Sequence, residues 1–172
     1  MKRILVIGGN GSGKTTFAKQ LSKKLNIPLI HLDKISRTDN WQRVGSDIFY
    51  NRLNEIFSTD SWIIDGNDIH TLPVRLKECD TVFYFDFNTV ACLIGVIKRT
   101  IKYYGKHRDD VGGENNIEKF DKSKIAFLKS VVNFNKCNRK LLYHMLNENS
   151  DVNTIIFKNR KQVKYYLNNI DF

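Results

Sequence analysis

Two kinds of apolar pattern follow one another along the chain. Short unbroken apolar runs alternate with longer stretches in which apolar residues recur every three or four positions. The first run, residues 3–7, ends on glycine and reads as a buried strand. Residues 14–25 carry Phe17, Ala18, Leu21 and Leu25 at helical spacing, and Asn26 with Pro28 stops that helix. A second short strand spans 29–32. After a loop through Trp41, Ser46 is placed to cap a helix with Ile48, Phe49, Leu53, Ile56 and Phe57 on one face. The third strand, 62–64, closes on the turn signal Asp65-Gly66-Asn67. The fourth, 81–85, contains V-F-Y-F with no polar break, which predicts burial on both faces. A helix over 89–104 leads into the polar segment G-K-H-R-D-D-V-G-G-E-N-N, and a long helical stretch covers 122–146. A fifth strand at 152–157 and a last helix ending near 167 complete the chain. Strands alternating with helices predict a three-layer α/β fold around a five-stranded parallel sheet. The length of 172 residues suits a single domain.

Composition changes this picture little. Hydrophobic residues make up 41% and charged residues 27%, as in ordinary soluble globular proteins. The formal net charge of +10 suits an acidic partner such as a nucleotide, nucleic acid or membrane surface. It equally suits a plain solvated basic surface, because the charge is spread along the chain. Cys79, Cys92 and Cys137 lie far apart without a C-x-x-C pair, so their spacing supports neither a disulfide framework nor a zinc site. A reducing, cytoplasmic setting is expected, with Cys79 and Cys92 in the core. The apolar start is too short for a signal peptide, and the longest apolar run, 90–97, falls far below a membrane span.

Candidate chemistry begins directly after the first strand. Gly8, Gly13, Lys14 and Thr15 satisfy the spacing G-x-x-x-x-G-K-[ST]. Such a loop turns successive backbone N–H groups inward around an anion, and the following helix adds its positive end. The expected cradle is Gly8, Gly9, Asn10, Gly11, Ser12, Gly13, Lys14, Thr15 and Thr16. Lys14 would reach the β- and γ-phosphates of ATP, and the Thr15 hydroxyl would ligate Mg²⁺. Asp65, at a strand's carboxyl end, could hold a Mg²⁺-bound water or simply make an Asp-Gly turn. Asp33, in H-L-D, could orient an acceptor hydroxyl or the metal, or cap a loop.

A phosphoryl-transfer site also needs positive charge near the moving group. Arg75, Arg99, Arg108 and Arg139 stand at separate points from which a closing site could gather them, although any single arginine is more often a solvated surface residue. The cluster Lys98, Arg99, Lys102, Lys106, His107 and Arg108 precedes Gly112 and Gly113, which suits a hinged basic flap over a nucleotide. The competing reading is a basic helix that uses Tyr103 and Tyr104 to bind nucleic acid. His31, His70, His107 and His144 show no mutual ligand spacing and are read as neither catalytic nor metal-binding.

The order P-loop, H-L-D with a later Trp41, W-I-I-D-G-N, Arg75-Leu76 with Asp80, F-D-F, K-R, G-K-H-R, E-K-F-D and Asn138-Arg139 resembles the adenylate-kinase-related DNA topology modulation proteins. The resemblance runs over almost the whole chain, with W-I-I-D-G-N and the Trp41 region its more specific parts. It implies a nucleoside-monophosphate-kinase-like fold, an acceptor-binding segment at about 34–60 and a short lid at about 99–120. It further implies that Arg75 holds an acceptor phosphate, with Arg99, Arg108 and Arg139 neutralising the transferring group. Three departures fall near the acceptor and lid: Asn88-Thr89 for a Pro-Arg pair, G-G-E-N-N for a Gly-Cys-Pro piece, and Asp68 for an aromatic residue. The expected function is transfer of the γ-phosphoryl group of ATP to a small acceptor such as a nucleotide or nucleoside. DNA association and plain nucleoside triphosphate hydrolysis stand as alternatives, and the oligomeric state is open.

Overall fold

Every residue of the run Ile4–Ile7 is buried, yet Ile4 and Val6 join one apolar cluster while Leu5 and Ile7 join another. Side chains alternate across a strand, so a strand apolar at every position must be covered on both faces. In the computed structural model, which describes residues 1–170, this run belongs to β1 (Arg3–Gly8), the central strand of the sheet. The other strands are β2 (Leu29–His31), β3 (Trp62–Asp65), β4 (Thr81–Phe85) and β5 (Asn153–Phe157). All pair in parallel, in the order β2-β3-β1-β4-β5. The fully buried V-F-Y-F strand of the sequence is β4.

Helices cover both faces. They are α1 (Lys14–Leu25), α2 (Leu32–Ser36), α3 (Ser46–Phe57), α4 (Leu72–Glu78), α5 (Thr89–Lys102), α6 (Lys122–Glu148) and α7 (Arg160–Asn169). On one face Phe17 of α1 meets Phe83 and Phe85 edge-on, with ring centroids 4.8 and 5.4 Å away. On the other, Leu53 of α3 and Leu76 of α4 pack over Trp62, Ile64 and Tyr84.

The structure departs from the sequence expectations mainly at element ends. Ser46 opens α3 instead of capping it: Gly45 occupies the cap position, and no side chain bonds there. The helix expected to 104 ends at Lys102. Neither α2 nor α4 was legible, since each spans two turns or fewer and shows no full apolar period. Cys79 and Cys92 are buried and Cys137 is exposed. No described helix is long and apolar enough to cross a membrane.

Candidate active site

The loop after β1 folds back against α5 before entering α1. Gly11 touches that helix so closely that a Cβ on it would overlap the Cys92 carbonyl, and one on Gly95 would overlap the Gly11 carbonyl. Gly13 takes a left-handed conformation as the N-cap of α1, with no side chain occupying the helix end. The first backbone N–H groups of α1 therefore face the space above the loop.

Lys14 is buried and donates from Nζ to the Gly9 carbonyl at 2.9 Å. Burial pushes its ammonium below the ordinary lysine value, while Asp65 opposes the shift. Because β3 lies beside β1 with Asp65 level with Val6, the carboxylate stands next to the first turn of α1. Thr15 Oγ1 donates to Asp65 Oδ2 at 2.6 Å, and His31 Nδ1 stands 3.3 Å from the same oxygen. His31, which sequence spacing left without a role, thus reaches the candidate site because β2 pairs with β3 and sets it level with Asp65. Asp65 Oδ1 and the loop hydroxyl of Ser12 are buried with no protein partner.

Those two orphaned oxygens, together with the Thr15 hydroxyl, fit a hydrated divalent cation beside bound phosphates. Among the described residues, no three His, Cys, Asp or Glu side chains converge into a metal cage. A metal here would therefore depend on phosphate oxygens for part of its shell, as Mg²⁺ commonly does.

Two cavities open from this point. One, of about 1030 Å³, is lined by the phosphate loop, His31, Asp65, Lys98, Lys102, Tyr103, Arg160 and Lys164. The other, of about 560 Å³, lies between α2, the Asp39–Trp41 turn and residues 108–127. Asn10, Asp33, Asn67, Arg99 and Arg108 line both cavities and form their common wall.

Arg108 is held rigidly in that wall. Its guanidinium donates Nη1 to Glu118 Oε1 at 2.8 Å and grips Asp110 with Nε and Nη2 at 3.0 and 2.5 Å. Burial works against its charge, yet Asp110 and Glu118 outweigh that and raise its pKa above the ordinary arginine value. Glu118, itself buried, also accepts from Lys124 and lies 3.7 Å from Arg99 Nε, which has no hydrogen-bond partner. Asp33 is more open, with a 58% exposed side chain and Arg37 at 3.5 Å.

Two of the expected arginines lie elsewhere. Arg75 is completely buried beneath the turn after β3, where it donates to the carbonyls of Gly66 and Asp68 and to the Thr71 hydroxyl. Burial lowers its pKa to about 10, against the pull of Asp68. It lines neither cavity. Arg139, on α6, donates to the buried carboxylate of Asp86, which Tyr143 and Lys158 also hold. It too lies outside both cavity walls. The reasons differ: Arg75 turns back onto the loop leading into its own helix, four to nine residues earlier, whereas Arg139 finds an acceptor 53 residues away beyond β4.

Arg37 and Arg43 of the smaller cavity and Arg160 of the larger are cavity-lining arginines that the sequence did not single out, and of these Arg43 has a buried partner. It pairs with buried Asp68 at 3.0 Å while its own side chain stays 61% exposed. Asp68, the residue noted as replacing an aromatic, is what brings it there.

Comparison with known proteins agrees with this geometry at the level of fold. The family model described as "ATPase family associated with various cellular activities (AAA)" matches residues 4–83, the part holding the phosphate loop, Asp33 and Asp65. A shikimate kinase from Flavobacterium psychrophilum is 36% identical over 64 residues, a match covering 33% of this chain and only 37% of that relative's length. Shikimate kinase from Bacteroides thetaiotaomicron has a similar structure, with a TM-score of 0.55 at 15% identity, covering 97% of this chain and 94% of the other. Shikimate kinase from Acinetobacter baumannii, solved in complex with shikimate, gives 0.59 at 16% identity, over 98% and 89% of the two chains. The chain has the P-loop, nucleoside-monophosphate-kinase-like α/β fold shared by these kinases.

Proposed function

We propose that this protein is an ATP-dependent small-molecule kinase that moves the γ-phosphoryl group of ATP onto a hydroxyl of a small acceptor. One observation carries the reading: the phosphate-loop cavity and the second cavity meet at a wall made of Arg99, Arg108, Asp33, Asn10 and Asn67. A group transferred between ligands in the two spaces would pass that wall. Six cationic and four acidic side chains line the second cavity, which favours an acceptor carrying negative charge.

In this reading the loop N–H groups and Lys14 bind the β- and γ-phosphates. Thr15 and Asp65 would hold Mg²⁺, which supplies charge neutralisation on those phosphates when bound. Asp33 accepts the proton of the attacking hydroxyl. As the acceptor O–P bond forms, the bond between the γ-phosphorus and the β–γ bridging oxygen breaks, and the electron pair leaves with ADP. Arg99 and Arg108 face the charge spread over the transferring group. The fixed pairing of Arg108 to Asp110 and Glu118 means that little reorganisation is needed during the step. Arg75 acts as a positioning residue: it braces the turn that presents Asn67 and Asp68, while Arg43 takes the more exposed place beside the acceptor.

The direct test follows ADP release with ATP and Mg²⁺ across nucleoside monophosphates, nucleosides and hydroxylated carboxylates. At least one should accelerate release well beyond hydrolysis to water. Equal rates with every acceptor and with none would leave a nucleoside triphosphatase instead.

A second reading, association with nucleic acid, draws on α6. That helix carries Lys122, Lys124, Lys129, Lys136, Arg139 and Lys140, with Glu148 as its only acidic residue. Duplex binding that steepens at low salt would support it. Negligible binding even at low salt would remove it.

A further inference from the structure

Trp41 has an unusual backbone. Both Asn40 and Trp41 adopt left-handed conformations, at φ 56° and 59°, which a bulky residue occupies only when its surroundings impose it. The indole lies at the acceptor cavity with 40% of the residue exposed, and among the described residues it pairs with no other ring and no cation. The restraints come from two directions. From its own segment, Arg37 Nη1 donates to the Trp41 carbonyl at 3.0 Å. From the lid, buried Asn116 accepts the Trp41 N–H at Oδ1, at 2.8 Å.

The other end of the Asn116 amide ties two chain segments together. Its Nδ2 donates to the Thr38 carbonyl at 2.9 Å and to the Gly112 carbonyl at 2.6 Å. Around it, the Gly112 N–H donates to the Asp33 carbonyl, and Asn115 donates to the Asp39 carboxylate from backbone and side chain. Gly112 lies so close to the acceptor segment that a Cβ on it would overlap the carbonyls of Lys34 and Arg37. The glycines expected at a hinge are therefore at the lid's tip. The same lid carries Arg108, four residues before Gly112, in the wall shared with the phosphate cavity.

We propose that Asn116 is a positioning residue that joins the lid and the acceptor segment into one unit, so that closure over the nucleotide and the strained presentation of Trp41 are a single event. An amide suits this joint because one side chain must accept from Trp41 and donate to Thr38 and Gly112 at once. The proposal rests on the kinase reading only in taking the second cavity as the acceptor's. Its consequence is that a nucleotide at the phosphate loop presets the acceptor site through the lid.

The test reads Trp41 directly. The chain has two tryptophans, and Trp62 is fully buried, so acrylamide quenching reports chiefly on Trp41, with Trp41→Phe as the blank. In the wild type, a non-hydrolysable ATP analogue with Mg²⁺ should lower the quenching constant. In Asn116→Ala, the constant without nucleotide should rise about threefold as the released turn samples open conformations. It should also no longer respond to the analogue, whose binding is followed separately with a fluorescent ADP derivative. Asn116→Asp keeps the acceptor for Trp41 but loses both donors, and should restore the low constant only in part. Gly112→Ala removes no hydrogen-bonding side chain yet forces the lid off the acceptor segment, and should reproduce the Asn116→Ala result. Wild-type quenching and an intact nucleotide response in either Asn116→Ala or Gly112→Ala would overturn the proposal. Absence of fluorescent ADP binding to the wild type would instead defeat the kinase reading, leaving the nucleotide-free comparison to judge Asn116.

Discussion

Lys14 and Arg75 show how much a charged residue's role depends on what surrounds it. Both are buried, and burial lowers the pKa of both. Lys14 has a single protein acceptor, the Gly9 carbonyl, and its ammonium is free to exchange that bond for a phosphate oxygen. Lys14→Ala should therefore reduce turnover by about 10²–10³-fold while the thermal transition stays cooperative, as ADP release and circular dichroism would show. Arg75 is the opposite case, because its donors are consumed by Gly66, Asp68 and Thr71. Replacing it with Met keeps much of the volume but leaves those acceptors unpaired. Chemical denaturation of Arg75→Met should show a loss of about 2–4 kcal/mol, with nucleotide binding retained. A variant as stable as the wild type but unable to use the acceptor would return Arg75 to direct phosphate binding.

At the scale of elements, the phosphate loop is shaped by what lies behind it as much as by its own glycines. The middle of α5 presses on Gly11 at Gly95, where a methyl group would meet the loop's carbonyl. Alanine is the better helix former by about 1 kcal/mol, so in isolation Gly95→Ala would strengthen α5. In the folded protein the added carbon must displace the loop or the helix. Titration with fluorescent ADP should show at least about tenfold weaker binding, a penalty of about 1.4 kcal/mol. Unchanged affinity would mean that the loop yields without losing its grip. The Asp86 cluster is a second inter-element joint: α6 supplies Arg139 and Tyr143, and the residue after β5 supplies Lys158. Arg139 serves this joint and lies outside the wall shared by the two cavities.

Across the whole molecule, the buried carboxylates set the response to acid. Burial alone would raise the Asp86 pKa, but hydrogen bonds from Lys158, Tyr143 and Arg139 outweigh it and hold the group below its ordinary value of 3.8. Glu118 behaves alike: burial opposes its charge, and Lys124 and Arg108 hold it below 4.5. A carboxylate whose pKa is depressed by folding stabilises the fold fully above its unfolded pKa, and that stability is lost as pH falls through the folded value. The melting temperature should therefore hold steady from neutrality to about pH 5 and fall steeply below about pH 4. Asp86→Asn should melt lower at pH 7 and lose less on acidification. Parallel pH profiles of the two proteins would show that Asp86 contributes nothing to the acid response.

The chain's local patterns determine a good deal by themselves. Unbroken apolar runs specify buried parallel strands, because only a sheet covered on both faces accommodates them, and β1, β3 and β4 were legible this way; the edge strands β2 and β5 are only partly buried and showed as short apolar stretches. The spacing Gly8, Gly13, Lys14, Thr15 specifies the phosphate loop, because that geometry is built within eight consecutive residues. What lies between distant segments was not legible. The strand order β2-β3-β1-β4-β5 sets Asp65 beside Thr15 and His31 beside Asp65. Nor does the sequence show that Arg139 bonds Asp86 or that Arg43 pairs with Asp68 in the wall of the smaller cavity. A charged side chain goes to whichever partner the fold brings within about 3 Å, and that partner is fixed by packing between elements and not by distance along the chain. The contact between Asn116 and Trp41, 75 residues apart in the chain, exists only in three dimensions.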